Sequence, residues 1–371
     1  VSALPAPPAS GGLEDTLARI AAGAAAREAA AHPAFPSDAF DLLRATGVLA
    51  ESAVPGPQRP PAAAELALVR RIAAADGSVG RIADGHLNAV ERLAVQAPAE
   101  IRDAELRAVR DDARLLGVWG GEPLPGEGPP AEVRRHRAGE VLRGVKTFCS
   151  GAGGLQRALV LARDSTASPP GGPPVLVLID LTDSGRVEID PSWYRSHGLV
   201  ASASHRVLFH DAPVLAHLGE PGAIAVQPWF GRDGLRTAAS WAGMADTAAR
   251  AALAALRERP RTGELEGLAA GRILTARHTI DVWLAAAATA MDAAGPALPA
   301  LALHGRVAIA AACRALLDEA ARACGSHPFA TAGALDRARR DLEVFLLQHR
   351  LEPMLARAGA AALHAGAEPW P

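Results

Sequence analysis

The sequence predicts a mainly helical chain with a central β domain, on three observations. From Leu13 to Arg114, alanine-rich text carries apolar residues at three- and four-residue spacing. From Gly117 it changes to short apolar segments bounded by Gly, Pro, Asp and Ser. After "GEPGAI" the helical period resumes and holds to the end. These shifts divide the chain into a disordered arm (1-12), an N-terminal helical domain (13-115), a β domain (116-222) and a C-terminal four-helix bundle (228-366).

Composition narrows the function classes. The chain has 371 residues, 49% of them hydrophobic but only 4% aromatic, with Tyr194 the single tyrosine. Alanine supplies much of the apolar mass, and it suits closely packed helices because it loses little side-chain entropy. Basic and acidic residues number 38 and 40, so no net field favours a nucleic-acid backbone or an anionic membrane. Cys149, Cys313 and Cys324 form no C-x-x-C pattern, which argues against a disulfide framework or a structural zinc site. The opening "VSALPAPPASGG" reads as an arm or remnant, no uncharged apolar run approaches membrane-spanning length, and a cytoplasmic location is the default.

The first helices are "LEDTLARIAAGAAAREAAAH" and, after a proline break, "SDAFDLLRATGVLA", which Ser37 is expected to cap. Two further helical stretches part around Gly77, and "PAEIRDAELRAVRDDARLLG" adds another. Strands are expected in "GEVLRGVKTFCSGA", "RALVLAR", "PPVLVLIDL", "RVEIDPS" and "HRVLFHDAPV". Val175 to Leu178 is an unbroken apolar run suited to a strand buried on both faces. In the last domain Ile273, Ala276, Ile280, Trp283 and Ala287 mark a buried stripe. The closing stretch "GALDRARRDLEVFLLQHRLEPMLARAGAAALHA" reads as one helix, with Leu342, Phe345, Leu346 and His349 on one face. "GAGG" at Gly151 to Gly154 lacks the strand, helix and acidic residue of a dinucleotide fingerprint and is read as a turn.

Four phrases in order resemble the acyl-CoA dehydrogenase superfamily of flavoproteins: "LGVWGGEP", "GVKTFCSGA", "YRSHGLVASASHRVLFHDAPV" and "ALDRARRDLEVFLLQH". The resemblance runs through nearly the whole chain and implies a β-barrel-like middle between helical domains. It implies that Glu122, at the opening of the β domain, and Phe148, Cys149 and Ser150 lie beside a flavin. Arg236, which opens the first bundle helix, and Gly325, in "ACGSHPF", are the other cofactor candidates. A flavin ring needs a flat apolar neighbour and hydrogen-bond donors, which Phe148 and Ser150 can supply. Gly121 replaces the hydroxyl residue usual before Glu-Pro, and Val200 stands where Arg is common. Arg337 and Asp341 are spaced to pair on one helical face, Arg340 to reach a carboxylate or phosphate, and Asp211 to accept backbone N-H groups in a turn.

The departures bear on the reaction. Counting from Asp341, the position of the usual catalytic glutamate holds His349, and the neighbour of Arg236 that carries the base in another branch is Leu235. His349 is therefore the catalytic candidate, with Asp233 or Glu352 as substitutes, and His86 and His278 rank lower. The Arg-x-x-Phe-Gly phrase that grips the flavin diphosphate is absent, although Arg257, Arg259 and Arg261 offer charge. The resemblance implies a flavin-dependent oxidoreductase with FAD, or alternatively FMN or a reduced flavin delivered by a partner reductase. The alternatives are a monooxygenase acting on a small organic substrate, with Ser150, Ser204 and His349 as donors; an acyl-CoA dehydrogenase with a relocated base; and a non-catalytic oligomeric relic. Association into a homodimer or homotetramer through the bundle is expected, together with a small-molecule substrate and an electron partner.

Overall fold

The computed structural model describes residues 12–30, 34–54, 59–137, 139–165, 171–259, 263–348 and 350–364. The chain divides into two compact units. One holds the described residues up to Pro60, Arg71–Ser196 and Val200–Trp229. The other holds Pro61–Arg70, His197–Leu199 and the residues from Phe230 onward.

The first unit opens with α1 (Leu13–Glu28), whose acidic first turn and Arg27 in the last turn complement the helix dipole. In α2 (Ser37–Thr46) Ser37 is the first helical residue behind Pro36 and no side chain caps the end, so the cap expected of Ser37 is not made. Gly47 then stops the helix in the left-handed region. The break near Gly77 falls between α3 (Ala62–Ala75) and α4 (Gly77–Gln96). Asp76 makes that break, its carboxylate accepting the N-H groups of Ser78 and Val79. A Cβ at Gly80 would overlap Ala73, so the two helices meet at the closest approach that glycine permits. α5 (Ala99–Asp111) completes the helical part.

Among the described residues seven strands follow: β1 (Leu116–Trp119), β2 (Glu132–His136), β3 (Gly139–Cys149), β4 (Arg157–Asp164), β5 (Val175–Asp180), β6 (Val187–Asp190) and β7 (His205–His217). The path β4-β2-β3-β7-β5 returns to β4, because β4 pairs with β5 as well as with β2, and this closes a five-stranded barrel. β1 adds to the barrel by a parallel pairing with β4, and β6 by an antiparallel pairing with β7. β1 and β2 lie outside the five expected segments. Apolar residues of β5 alternate between two environments. Leu176 and Leu178 join Leu116, Leu159, Val90, Leu93, Leu106 and Val109 in a core under the helices, while Val177 and Ile179 are equally buried on the other face. That double burial is why the run shows no polar alternation.

The second unit contains the long helices α6 (Trp229–Arg257), α7 (Glu264–Ala293), α8 (Leu298–Cys324) and α10 (Ala334–Leu347), with a four-residue α9 (His327–Ala330) and a closing α11 (Glu352–His364). Ile273, Ile280 and Ala287 of the expected stripe are buried, and Trp241 of α6 meets Phe345 of α10 edge-on, 6.2 Å between ring centres. The stretch read as one closing helix is two, α10 and α11, and Pro353 sits in the first turn of the second, where its missing N-H costs no helical bond. α8, interrupted by Arg306 and Arg314, is long and apolar enough to cross a bilayer by length and composition. However, 56% of its most apolar window is buried inside the protein, and Arg306 lies buried within the helix.

Candidate functional site

The chemistry-bearing residues of the first unit gather where β3 ends. A register shift between Lys146 and Cys149 breaks the β3–β7 ladder there, and the chain turns through Ser150 to Gly154. Cys149 points into the protein and is fully buried, and burial pushes its thiol pKa up, which keeps the thiol neutral. Phe148, on the other side of the ladder, adopts φ 53° in the left-handed region and leaves 55% of its surface exposed. A bulky residue in that conformation is strained unless its surroundings hold it. Trp193 meets its ring edge-on at 4.9 Å and Tyr194 at 6.4 Å. Trp193 is itself tied, its indole N-H donating to Glu127 Oε1 at 2.7 Å, while Glu127 Oε2 accepts the N-H of Leu124.

The "GGEP" loop is fastened beside this aromatic group. Glu122 takes the ammonium of the fully buried Lys146 at 2.8 Å, and the Thr147 hydroxyl donates to the Glu122 carbonyl at 3.0 Å. Burial pushes the Lys146 pKa down, while the hydrogen bond and charge of Glu122 act the other way. Gly121 bridges Thr147, and a Cβ there would overlap the Thr147 carbonyl oxygen. This close approach is the physical reason for glycine at that position.

Behind Phe148 runs a chain of three buried hydroxyls. Ser150 Oγ lies 2.8 Å from Ser204 Oγ, which lies 2.7 Å from Ser202 Oγ. The Ser150 carbonyl accepts the indole N-H of buried Trp119 at 3.1 Å, and the Ser202 carbonyl accepts the N-H of Gly151 at 2.8 Å. Three O-H donors share two hydrogen bonds, and no further acceptor for them exists among the described residues. One of the three protons therefore has no acceptor among the described residues. An exposed aromatic face beside a directed hydroxyl suits a planar ring that carries hydrogen-bond acceptors.

The other candidates are placed as follows. Arg236 in α6 is fully buried, its Nε donating to Glu65 of α3 at 2.5 Å with Asp233 at 3.6 Å. Gly325 ends α8 with φ 71° and its N-H on the Ala321 carbonyl. His349 lies outside the described residues; α10 ends at Leu347, with Leu342, Phe345 and Leu346 buried as expected of that face. Arg261 also lies outside them, and Arg259 pairs with Glu266 at 2.8 Å. The expected Arg337–Asp341 pair is not made. Asp341 instead accepts the N-H of Leu199 at 2.5 Å, which holds that residue in the left-handed region, while Arg340 pairs with Asp336 at 2.9 Å. Asp211 is not at a turn: it lies inside β7 at φ 53° and pairs with Arg143 at 3.0 Å. His86 is fully buried, accepting the Leu116 N-H on Nδ1 and donating from Nε2 to the Leu49 carbonyl, both at 3.2 Å. Both ring nitrogens serve the fold. His278 is exposed on α7.

Sequence reasoning placed Ser202 in the family rhythm but gave it no role, and it passed over Trp119, Glu127 and Trp193. The signal for Ser202 is the alternation "SAS", which sets two hydroxyls two residues apart.

No family model and no curated protein matches the sequence. Solved structures do match. TdsC, a dibenzothiophene monooxygenase from Paenibacillus sp. A11-2 seen in complex with FMN and indole, is 19% identical with a TM-score of 0.80, covering 96% of this chain and 98% of its own. KijD3, in complex with FMN and a dTDP-linked amino-keto sugar, is 20% identical with a TM-score of 0.80, covering 96% and 92%. The HsaA monooxygenase from M. tuberculosis is 17% identical with a TM-score of 0.77, covering 97% of each chain. The chain has the acyl-CoA dehydrogenase-type fold, in the form that flavin monooxygenases also use.

Proposed function

We propose that the protein is a flavin-dependent monooxygenase that uses FMN and acts on a small organic substrate. The observation that carries this reading is the hydroxyl chain ending at Ser150 beside the exposed ring of Phe148, a donor and a flat apolar face set together at the end of β3. The likeness over nearly the whole chain to two FMN-bound proteins, one of them a monooxygenase, supports it and favours FMN over the FAD that the sequence resemblance implied. These residues fit a flavin: Phe148 would pack on the ring, Ser150 would donate to one of its acceptors, and the Lys146–Glu122 pair would hold the loop that borders it. When bound, reduced flavin supplies the electrons that activate dioxygen.

Dehydrogenation of an acyl thioester needs a fixed base for the α proton. The position beside Arg236 holds Leu235, which is fully buried and carries no carboxylate. An oxygenase has no such requirement. What its site must do is exclude bulk water and present a donor; the buried ring of Trp119 answers to the first and the Ser150 hydroxyl to the second. The strands form a barrel and build no strand-helix-strand crossover for a dinucleotide among the described residues, which favours a separate reductase as the source of reduced FMN. Assembly of two or four copies through the helical unit belongs to the same reading; Leu265, Leu268 and Val282 of α7 are exposed for it, and light scattering that shows a clean monomer would remove that part.

The test is direct. Purified protein titrated with FMN and FAD should bind FMN more tightly. With chemically reduced FMN, oxygen-18 gas and a panel of aromatic heterocycles that includes indole, it should yield a product carrying one labelled atom. Bleaching of bound flavin by an acyl-CoA, with no labelled product, would establish the dehydrogenase instead. Protein that takes up neither flavin would exclude both.

A further inference from the structure

We infer that Ser202 and Ser204 are positioning residues that fix Ser150 as an obligate hydrogen-bond donor toward the bound flavin ring, an inference that rests on the flavin reading above. A hydroxyl has one proton to donate, and leaving a buried one without an acceptor is costly. Ser202 is 0% exposed and has no acceptor other than Ser204 among the described residues, so its proton must go to Ser204. Ser204 now receives that proton, is itself 4% exposed, and has only Ser150 left to donate to. Its proton therefore goes to Ser150. The remaining proton belongs to Ser150, the most exposed of the three at 9%, and this residue alone can aim it out of the fold.

The opposite polarity would bury the surplus proton against Ser202, and the convergent arrangement would bury it on Ser204. Neither offers an acceptor. Backbone contacts lock the geometry on both sides: Gly151 N-H and Ala152 N-H donate to the Ser202 and Ala203 carbonyls, which pins the Ser150 turn to the Ser202–Ser204 segment. The Ser150 carbonyl accepts the indole N-H of Trp119, which holds the Ser150 peptide in place. Each bond in the chain also polarises the next, making the terminal donor stronger than an isolated serine. Ser204 therefore acts through Ser150 and does not donate to the ligand directly, as the sequence alone suggested it would.

The experiment is a double-mutant cycle on FMN affinity, read by quenching of flavin fluorescence and by the shape of the bound visible band. Ser204→Ala should weaken FMN binding about fivefold, the equivalent of about 1 kcal/mol for one hydrogen bond, and shift the band. Ser202→Ala should weaken it about two- to threefold. Ser204→Thr, which keeps the hydroxyl, should bind within about twofold of the parent. In a Ser150→Ala background Ser204→Ala should have no further effect, because its partner is gone. Additive losses in that background, or parental affinity and band shape in both Ser204→Ala and Ser202→Ala, would overturn the inference and leave the flavin reading intact. Parent protein that binds no flavin would overturn both. If Ser204→Ala does not fold, Ser202→Ala, which lies one hydroxyl further from the ligand, carries the same decision.

Discussion

His86 shows how one buried side chain can set a pH limit without taking part in any reaction. Its Nδ1 accepts a backbone N-H, so the ring is neutral with its proton on Nε2, and burial lowers its pKa from 6.5 to about 4. The folded value lies below the unfolded one, so in the window between them the unfolded chain binds the proton and the folded chain does not. The contribution is therefore whole above about pH 6.5 and is lost progressively as pH falls toward 4, by about 3 kcal/mol in total. Urea denaturation of the parent and of His86→Gln at a series of pH values should show the parent losing that much more stability across this window; parallel pH profiles would refute the assignment. Sequence reasoning ranked His86 low and could not foresee its role, because its two partners, Leu49 and Leu116, are remote in the chain and offer only backbone atoms. The same limit applies to Ser202. Residue identity and spacing gave Phe148 and Ser150, but the second layer behind them exists only once β3 and β7 are paired.

Among the elements, the joint between α3 and α4 depends on Asp76 more than on the glycine that marks it. The carboxylate accepts two N-H groups of α4 and the Nε of Arg27 from α1 at 3.0 Å, so one side chain both caps a helix and ties a third to the joint. Asp76→Ala removes a cap and leaves most of a buried guanidinium without its inner partner, at a cost of about 3–5 kcal/mol. Asp76→Ser keeps a capping oxygen and should recover about 1 kcal/mol of that, as read from urea midpoints; equal midpoints for the two variants would show that capping contributes nothing here. Elements were legible wherever burial is one-sided or complete over several residues, as in β4, β5 and the long helices. β1 was missed because its four residues sit before a double glycine that reads as a loop. β2 was missed because Val133 is its one buried residue, Glu132 is half-buried and "RRH" faces outward. The break between α10 and α11 was hidden because alanine and leucine continue the helical period on both sides of it.

At the scale of the whole molecule, the order of helices along the chain does not coincide with the way the helices are stabilised. The second unit takes most of its mass from Phe230 onward, yet it also includes Pro61–Arg70, the first turns of α3. Those turns add counter-charges to ion pairs inside the unit. Glu65 meets the fully buried Arg236, and Arg70 lies 2.7 Å from Asp246 and 2.6 Å from Asp281, which Arg277 also approaches. Asp292 accepts the N-H of Ala62 at 2.9 Å, completing the attachment. Removing one partner of a buried ion pair costs about 3–5 kcal/mol, because the other charge stays in a medium that solvates it poorly. A fragment spanning 230–364 would lose Glu65 and Arg70 together, which is comparable to the entire stability of an ordinary domain. It should show weak helical circular dichroism and no cooperative melt. In the full chain, Glu65→Gln should lower stability by about 3 kcal/mol, whereas the pair Glu65→Leu with Arg236→Met, similar in volume and uncharged, should recover most of that loss. A fragment that melts cooperatively near the parent temperature would show that α3 is dispensable to the bundle, and the charge argument would fall with it.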